Sequence, residues 1–390
     1  MIAFDEALRL VTGLARPIGR ERVPLARAFG RVLAEPMVAA IDSPPADGST
    51  MDGYAVREAD LPGPFRLIGE SFPASGFEGS LEPGTCVRIF TGAALPAGAD
   101  RVVVQEVAVR AGDRVTLAAR PGPQRHVRRR GSDFRAGDVL LEAGRRLDPR
   151  ALVAAAAADS AEVSTWRPPA VLVLATGDEL APPGECRGRP GTIPDSVSVG
   201  VAALAEQHGG LSLGSRRVPD SPAAMERAAG EALERADLVV VTGGASVGEK
   251  DFARAMFAPH RLDLLFSRVA IKPGKPVWMG RAGGRLVLGL PGNPTSAMVT
   301  ARLFLAPLVA GLAGRPAALD WRPVRLAGPL PACGDRETFH RARRSDDGAV
   351  PLADQQSGAQ KALAEADLLL RGRPGDPPRK PGAEVEALDF

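Results

Sequence analysis

Three short apolar runs, residues 170–175, 238–241 and 285–290, each lead directly into a polar loop that carries glycine. No other feature constrains the fold as tightly. A run that is apolar at every position, rather than at every second one, suits a strand buried on both faces. Helical text lies around these runs: residues 199–207 ending at Gly209-Gly210, a segment capped by Ser221-Pro222 and running to Arg235, and a long apolar stretch after Pro291-Gly292-Asn293-Pro294. Buried strands alternating with helices predict an open, largely parallel α/β sheet. In such sheets ligands bind at the carboxyl ends of the strands.

The flanks read differently. Residues 5–16 predict a helix with Leu8, Val11 and Leu14 on one side, and residues 25–33 predict a second. From 41 to 133 the text breaks into short β-like runs (65–68, 85–90, 101–109, 114–117) cut by Gly, Pro and Asp. Asp148-Pro149 then opens an alanine-rich helix. Helical text brackets the β-rich block, which predicts a small β module inserted into a helical linker. Residues 321–390, with short strands and Pro-Gly turns, predict a further small β domain. A chain of 390 residues needs several such bodies, because a single core stops growing near roughly 250–300 residues.

Composition removes several classes. Apolar residues make up 45% and charged ones 24%, which excludes a disordered chain. Aromatic residues are only 4%, too few for a nucleic-acid stacking platform, and 49 basic against 46 acidic residues leave +3. No nucleic-acid partner is expected. The three cysteines, Cys86, Cys186 and Cys333, are far apart, and the four histidines lack zinc-ligand spacing. The start lacks a basic and apolar leader, and the longest apolar run, near 151–158, falls short of the ~20 residues of a membrane span. A cytoplasmic protein without a membrane partner is therefore expected.

Four stretches could carry chemistry. Thr242-Gly243-Gly244-Ala245-Ser246 follows a buried strand and enters a helix, so its backbone N–H groups suit a phosphate, although Glu249-Lys250-Asp251 excludes a Walker A loop. Ile271-Lys272-Pro273-Gly274-Lys275-Pro276 places two of only five lysines on one stiff loop, a preorganised anion site or a solvated hairpin. Asp52, Asp133, Asp178, Glu179, Asp195 and Asp251 stand in glycine-bearing loops and together could hold Mg²⁺ against a phosphate, whereas any one alone reads as a turn or cap residue. Asn293 before the long helix reads as an ordinary cap, and Arg128-Arg129-Arg130 as a solvated face or phosphate clamp. No Ser-His-Asp or Cys-His arrangement is present, so chemistry by positioning and electrostatics fits better than covalent catalysis.

In this order, Ser49-Thr50-Met51-Asp52-Gly53-Tyr54-Ala55, Thr91-Gly92-Ala93, Arg129-Arg130-Gly131-Ser132-Asp133, Thr176-Gly177-Asp178-Glu179-Leu180, the 243–251 loop, residues 272–276 and Leu290-Pro291-Gly292-Asn293-Pro294 resemble the molybdopterin molybdenumtransferase family of the MoeA and gephyrin E-domain type. The resemblance implies an α/β multidomain protein. Its parts would be a helical linker domain (1–43 plus 134–167), an inserted small β domain (44–133), a MogA-like molybdopterin-binding open-sheet domain (168–317) and a β-barrel-like C-terminal domain (318–390). It implies a homodimer whose active site draws on both subunits. The implied reaction inserts molybdate into adenylylated molybdopterin, with Mg²⁺-dependent loss of AMP.

Carried over by position, the resemblance makes Asp52, Asp133, Glu179 and Asp251 catalytic, with Asp251 and Glu179 toward the metal. Thr91, Gly243, Gly244, Ser246, Lys272 and Asp220 would bind the pterin substrate, and Lys275, Ser296, Arg341 and Ser357 the molybdate. A molybdopterin adenylyltransferase and molybdoenzyme apoproteins or their chaperones are the implied partners. Val197 stands where the family usually has Asn, Ala245 where Val is usual, and the 357–367 stretch departs from the usual Ala-Asn-Gly. Alternatives of the same resemblance are a receptor-clustering scaffold, a tungstate-inserting enzyme and a molybdopterin-adenylylating one.

Overall fold

The computed structural model describes residues 1–244 and 252–390. They form two compact units, a larger one of Met1–Glu21, Gly30–Ala34 and Thr165–Phe390 and a smaller one of Arg22–Phe29 and Glu35–Ser164.

The larger unit is built on a six-stranded sheet in the order Leu211–Val218, Ala170–Thr176, Leu238–Thr242, Arg285–Leu290, Trp278–Ala282, Asp263–Phe266. The first four strands run parallel and the last two pairs are antiparallel. All three apolar runs lie in this sheet, side by side. Alternate residues feed two cores: Val171, Val173, Val240 and Leu288 pack on one face, and Leu172, Leu174, Val239, Val241 and Val287 on the other. Each such side chain contributes roughly 1.5–3 kcal/mol on burial, which is why a continuously apolar strand can be buried only between two layers. Helices Ser196–Gln207 and Pro294–Thr300 cover the first face, and Pro222–Arg235 the second. Ser221 makes no side-chain cap bond to that last helix, contrary to expectation; Pro222 at its first turn sets the start instead.

The longest apolar helix is not the 151–158 segment but Pro294–Leu312, 19 residues, long and apolar enough by length and composition to cross a membrane. It is a core helix here, with 89% of that window buried. Its middle, Ala301–Leu305, widens into a π turn just before Pro307, which has no N–H to return to the preceding turn. The N-terminal helix Phe4–Leu14 packs on this core. Arg371, stacked over Phe4 and Trp321, is buried and joins the buried Glu337 and the exposed Asp5 (2.6 Å) in one ion-pair network.

A second sheet in the larger unit has the order Ile271–Lys272, Glu337–Ser345, Leu368–Gly372, Glu384–Asp389, Arg322–Arg325, with Gly348–Pro351 beside Glu337–Ser345. The lysine loop therefore begins on a strand paired with the C-terminal sheet, in parallel register Ile271 to Glu337 and Lys272 to Thr338. It is not a free hairpin.

The smaller unit contains a six-stranded sheet, Arg101–Val104, Gly53–Val56, Thr85–Ile89, Phe65–Ser71, Arg114–Leu117, Ala108–Ala111. The expected 101–109 run is split by a 3-10 turn at Gln105–Val107, where the Gln105 N–H turns to the carbonyl of Asp52. Asp148 caps helix Pro149–Ala157, its Oδ1 accepting from Ala151 N at 2.8 Å. No helix spans 25–33. Only a 3-10 turn at Leu25–Arg27 forms, and Gly30 follows in a left-handed conformation (φ 76°). Nine residues are too few to nucleate a helix across such a breaker.

Candidate active site

Strands Ala170–Thr176, Leu238–Thr242 and Arg285–Leu290 end together, and their loops enclose a cleft of about 820 Å³. Backbone proximity creates it. Gly243 has φ 86°, and a Cβ there would stand 2.5 Å from the Thr176 carbonyl oxygen; one on Gly292 would stand 3.3 Å from Gly243 Cα. Thr176 Oγ1 ties the first two strand ends by donating to Thr242 O at 3.2 Å. The cleft is lined by Glu179, Asp220, Gly243, Gly244, Val197 and Asn293 among others. Its rim is acidic. Asp178 Oδ1 accepts from Asp220 N at 3.0 Å. Burial raises the Asp220 pKa above the ordinary carboxyl range, and the negative charges of Asp178 and Glu179 add to the shift. Asp195, in contrast, is an N-cap: buried, it accepts from Ser198 N at 3.1 Å. Val197 packs into the core and presents an apolar surface to the cleft.

A second cleft of about 900 Å³ is lined by Lys272, Lys275, Ser296, Arg336, Asp354 and Ser357, and it shares Pro276 with the first. Among the described residues, none of Lys272, Lys275, Ser296 and Ser357 donates a side-chain hydrogen to a protein acceptor. The cleft therefore holds two ammonium groups and two hydroxyls with unspent donors. Arg336, which sequence reasoning missed, donates from Nη1 to Ile271 O at 3.3 Å. The signal for it is a contact between residues sixty-five positions apart, next to the pairing of Ile271 with Glu337, which local pattern does not carry. Arg341 does not line the cleft. It is fully buried behind the 353–357 loop, its Nη2 donating to the carbonyls of Asp354 and Gln356, both at 3.2 Å. Its Nε and Nη1 have no partner among the described residues, and burial lowers its pKa.

Asn293 departs from the capping expectation. It occupies the N-cap position of Pro294–Thr300, yet its side chain makes no cap bond and Nδ2 donates to Ser357 Oγ at 3.1 Å.

The remaining candidates lie in the smaller unit. Asp52 Oδ1 is bonded by Thr91, and Asp133 is exposed, its N–H donating to Ser43 O at 3.0 Å. Arg129 and Arg130 pair with Asp47 and Asp42, so part of the arginine run is structural. Ser246 and Asp251 lie outside the described residues. Among the described residues no group of three or more His, Cys, Asp or Glu is placed to hold a metal ion.

Residues 2–158 match the MoeA N-terminal region (domains I and II), 172–311 a probable molybdopterin binding domain, and 323–390 the MoeA C-terminal region (domain IV). A molybdopterin molybdenumtransferase of Haemophilus influenzae is 38% identical over 319 residues, 81% of this chain and 78% of that protein. The chain belongs to the molybdopterin molybdenumtransferase family. Membership makes it an enzyme of the transferase class, with an α/β multidomain fold. The family member from a Nostoc species is 35% identical over 82% of this chain and 76% of that one. The crystal structure of a molybdopterin biosynthesis MoeA protein from Pyrococcus horikoshii superposes with a TM-score of 0.87 at 29% identity, covering 100% of this chain and 99% of that one. In molybdenumtransferase terms, the two clefts of the larger unit lie within and beside the segment matched as the molybdopterin binding domain.

Proposed function

We propose that this chain inserts molybdate into adenylylated molybdopterin with Mg²⁺-dependent release of AMP, completing the molybdenum cofactor. One observation carries the reading: an oxyanion-sized set of unspent donors, Lys272, Lys275, Ser296 and Ser357, stands in a cleft that shares a wall with the strand-end cleft. Charge-assisted hydrogen bonds to a dianion are strong, and a tetrahedral oxyanion can use four such donors at once. The strand-end cleft supplies backbone at Gly243 and Gly244, where the chain can pass close to Thr176 and Ala253 because no Cβ intervenes, and backbone N–H groups at such a turn suit a phosphate. Arg336 lines the same cleft as the lysines and adds positive charge; Arg341, from behind the loop, holds two of its carbonyls and has further N–H groups unspent.

Magnesium fits the acidic rim. Burial pushes the Asp220 pKa up, and the like charges of Asp178 and Glu179, which push it further, are repulsions a cation would relieve; Mg²⁺ is commonly held by one or two carboxylates together with substrate phosphates. Glu179 and Asp251 would hold it. When bound, the ion neutralises charge building on the leaving AMP phosphate. Asp52, ionised and oriented by Thr91, and Asp133 complete the set of acids in this reading, and the enzyme acts as a homodimer. A molybdopterin adenylyltransferase would supply the substrate, and molybdoenzyme apoproteins or their chaperones would receive the product.

The test is direct. The purified chain, incubated with adenylylated molybdopterin, Mg²⁺ and molybdate, should release AMP and yield cofactor that activates an apo-molybdoenzyme; omitting Mg²⁺ or molybdate should stop it. Failure to release AMP above an enzyme-free control refutes the reading, and faster turnover with tungstate would reassign the oxyanion.

A further inference from the structure

The start of helix Pro294–Thr300 is capped in an unusual way. Helix N-termini leave N–H groups without intrahelical partners, and the side chain at the N-cap ordinarily takes one. Here the Thr295 N–H goes to the carbonyl of Ser357 at 3.0 Å, and Thr295 Oγ1 donates to Ala359 O at 3.4 Å. The 357–359 segment thus does the capping. This releases the Asn293 amide, whose Nδ2 donates to Ser357 Oγ at 3.1 Å. Asn293 lines the strand-end cleft and Ser357 the lysine cleft, so this hydrogen bond crosses the wall between the two.

A hydroxyl has one donor and two acceptor positions. With one acceptor position filled by the amide, the Ser357 proton must point away from Asn293, and it finds no acceptor among the described residues. It stays available on the side where Lys272, Lys275 and Ser296 stand. We propose that Asn293 is a positioning residue of the reaction, fixing the Ser357 hydroxyl as a hydrogen-bond donor to the oxyanion and so linking the two clefts. The inference rests on the proposed function, in which the lysine cleft takes molybdate.

The chemistry gives a sharp test. The carboxylate that Asn293→Asp introduces could only accept, so it would turn the Ser357 proton toward itself and away from the oxyanion. In Asn293→Asp the KM for molybdate should rise about tenfold, a change of about 1.4 kcal/mol, and by more than the KM for the adenylate. Ser357→Ala should raise it similarly, and adding Asn293→Asp to Ser357→Ala should add nothing. If the carboxylate acts only by repelling the anion, its effect will persist in the Ser357→Ala background, which overturns the proposal. So will a wild-type molybdate KM in Asn293→Asp, or equal losses toward both substrates. Should Asn293→Asp not fold, judged by its melting curve, Asn293→Ala carries the same cycle. Equilibrium dialysis of the wild-type protein with molybdate separates the two levels. No molybdate binding overturns the functional reading and this inference together, whereas binding with additive variants overturns the inference alone.

Discussion

Asp52 Oδ1 accepts two hydrogen bonds from Thr91, one from its backbone N–H and one from Oγ1, each 2.8 Å long. These bonds, with the nearby Arg88 guanidinium, hold the Asp52 carboxyl below its ordinary pKa. The group is thus an oriented anion throughout the neutral range. Asp52→Asn keeps the shape and removes the charge, and should lower kcat/KM for AMP release about 100-fold. Thr91→Ala leaves the backbone bond and should cost about tenfold. Initial rates of AMP release check both, and equal rates in Asp52→Asn and wild type would remove Asp52 from the site.

Lys275 and Arg336 bring positive charge to one cleft, where Arg336 also pairs with Asp335 at 3.8 Å. Lys275→Ala should weaken molybdate binding by about tenfold or more and pterin binding less. Arg336→Ala should do the same in smaller degree, because its Nη1 already serves the Ile271 carbonyl. Equilibrium dialysis with each ligand reads the two affinities; parallel losses in both would mean that the oxyanion lies elsewhere.

His340 is buried beside Cys333, its Nε2 3.8 Å from Sγ. Burial, helped by the charges of Lys272 and Arg341, pushes its pKa down to about 4. An unfolded-state histidine titrates near 6.5, so between that value and about 4 the unfolded chain binds the extra proton. This contribution to stability is fully present above pH 6.5 and is lost progressively as the pH falls toward 4. Urea melts at pH 7 and pH 5 should differ by about 2 kcal/mol from this residue. His340→Gln should be less stable at pH 7 but show a correspondingly smaller drop. An unchanged drop would assign the acid sensitivity to other groups.

Gly243 is where the strand-end cleft is most easily destroyed. Gly243→Ala imposes a side chain at φ 86° and sets its Cβ 2.5 Å from a backbone oxygen that cannot swing aside. A loss of about 1–3 kcal/mol is expected, with weaker binding of the adenylate, measured by thermal melting and by ligand titration. Ala substitution at Gly214, also left-handed but with open space around its Cβ, should be milder.

Local pattern carried much of this molecule. Leu238–Thr242 is apolar throughout until its last residue because it is buried on both faces, and that alone locates a sheet interior and the loop beyond it. Residues 25–33 misled because their apolar content is spent on separate buried positions, Val32 and Leu33 among them, rather than on one helical face. Asn293 misled for a different reason: the cap rule holds for a side chain facing its own helix, and here a distant segment, 357–359, takes that place.

What the sequence determined by itself is the family and the chemistry available: strands that must be buried on both faces, glycines at their ends, and two lysines on one stiff segment. These are short-range properties, set by spacing and side-chain type. The tertiary structure decided which donors share a cleft. Parallel pairing of Ile271–Lys272 with Glu337–Ser345 brings Arg336 beside the lysines and leaves Arg341 behind the loop. Contacts between positions so far apart in the chain depend on register and packing, and no local periodicity encodes them.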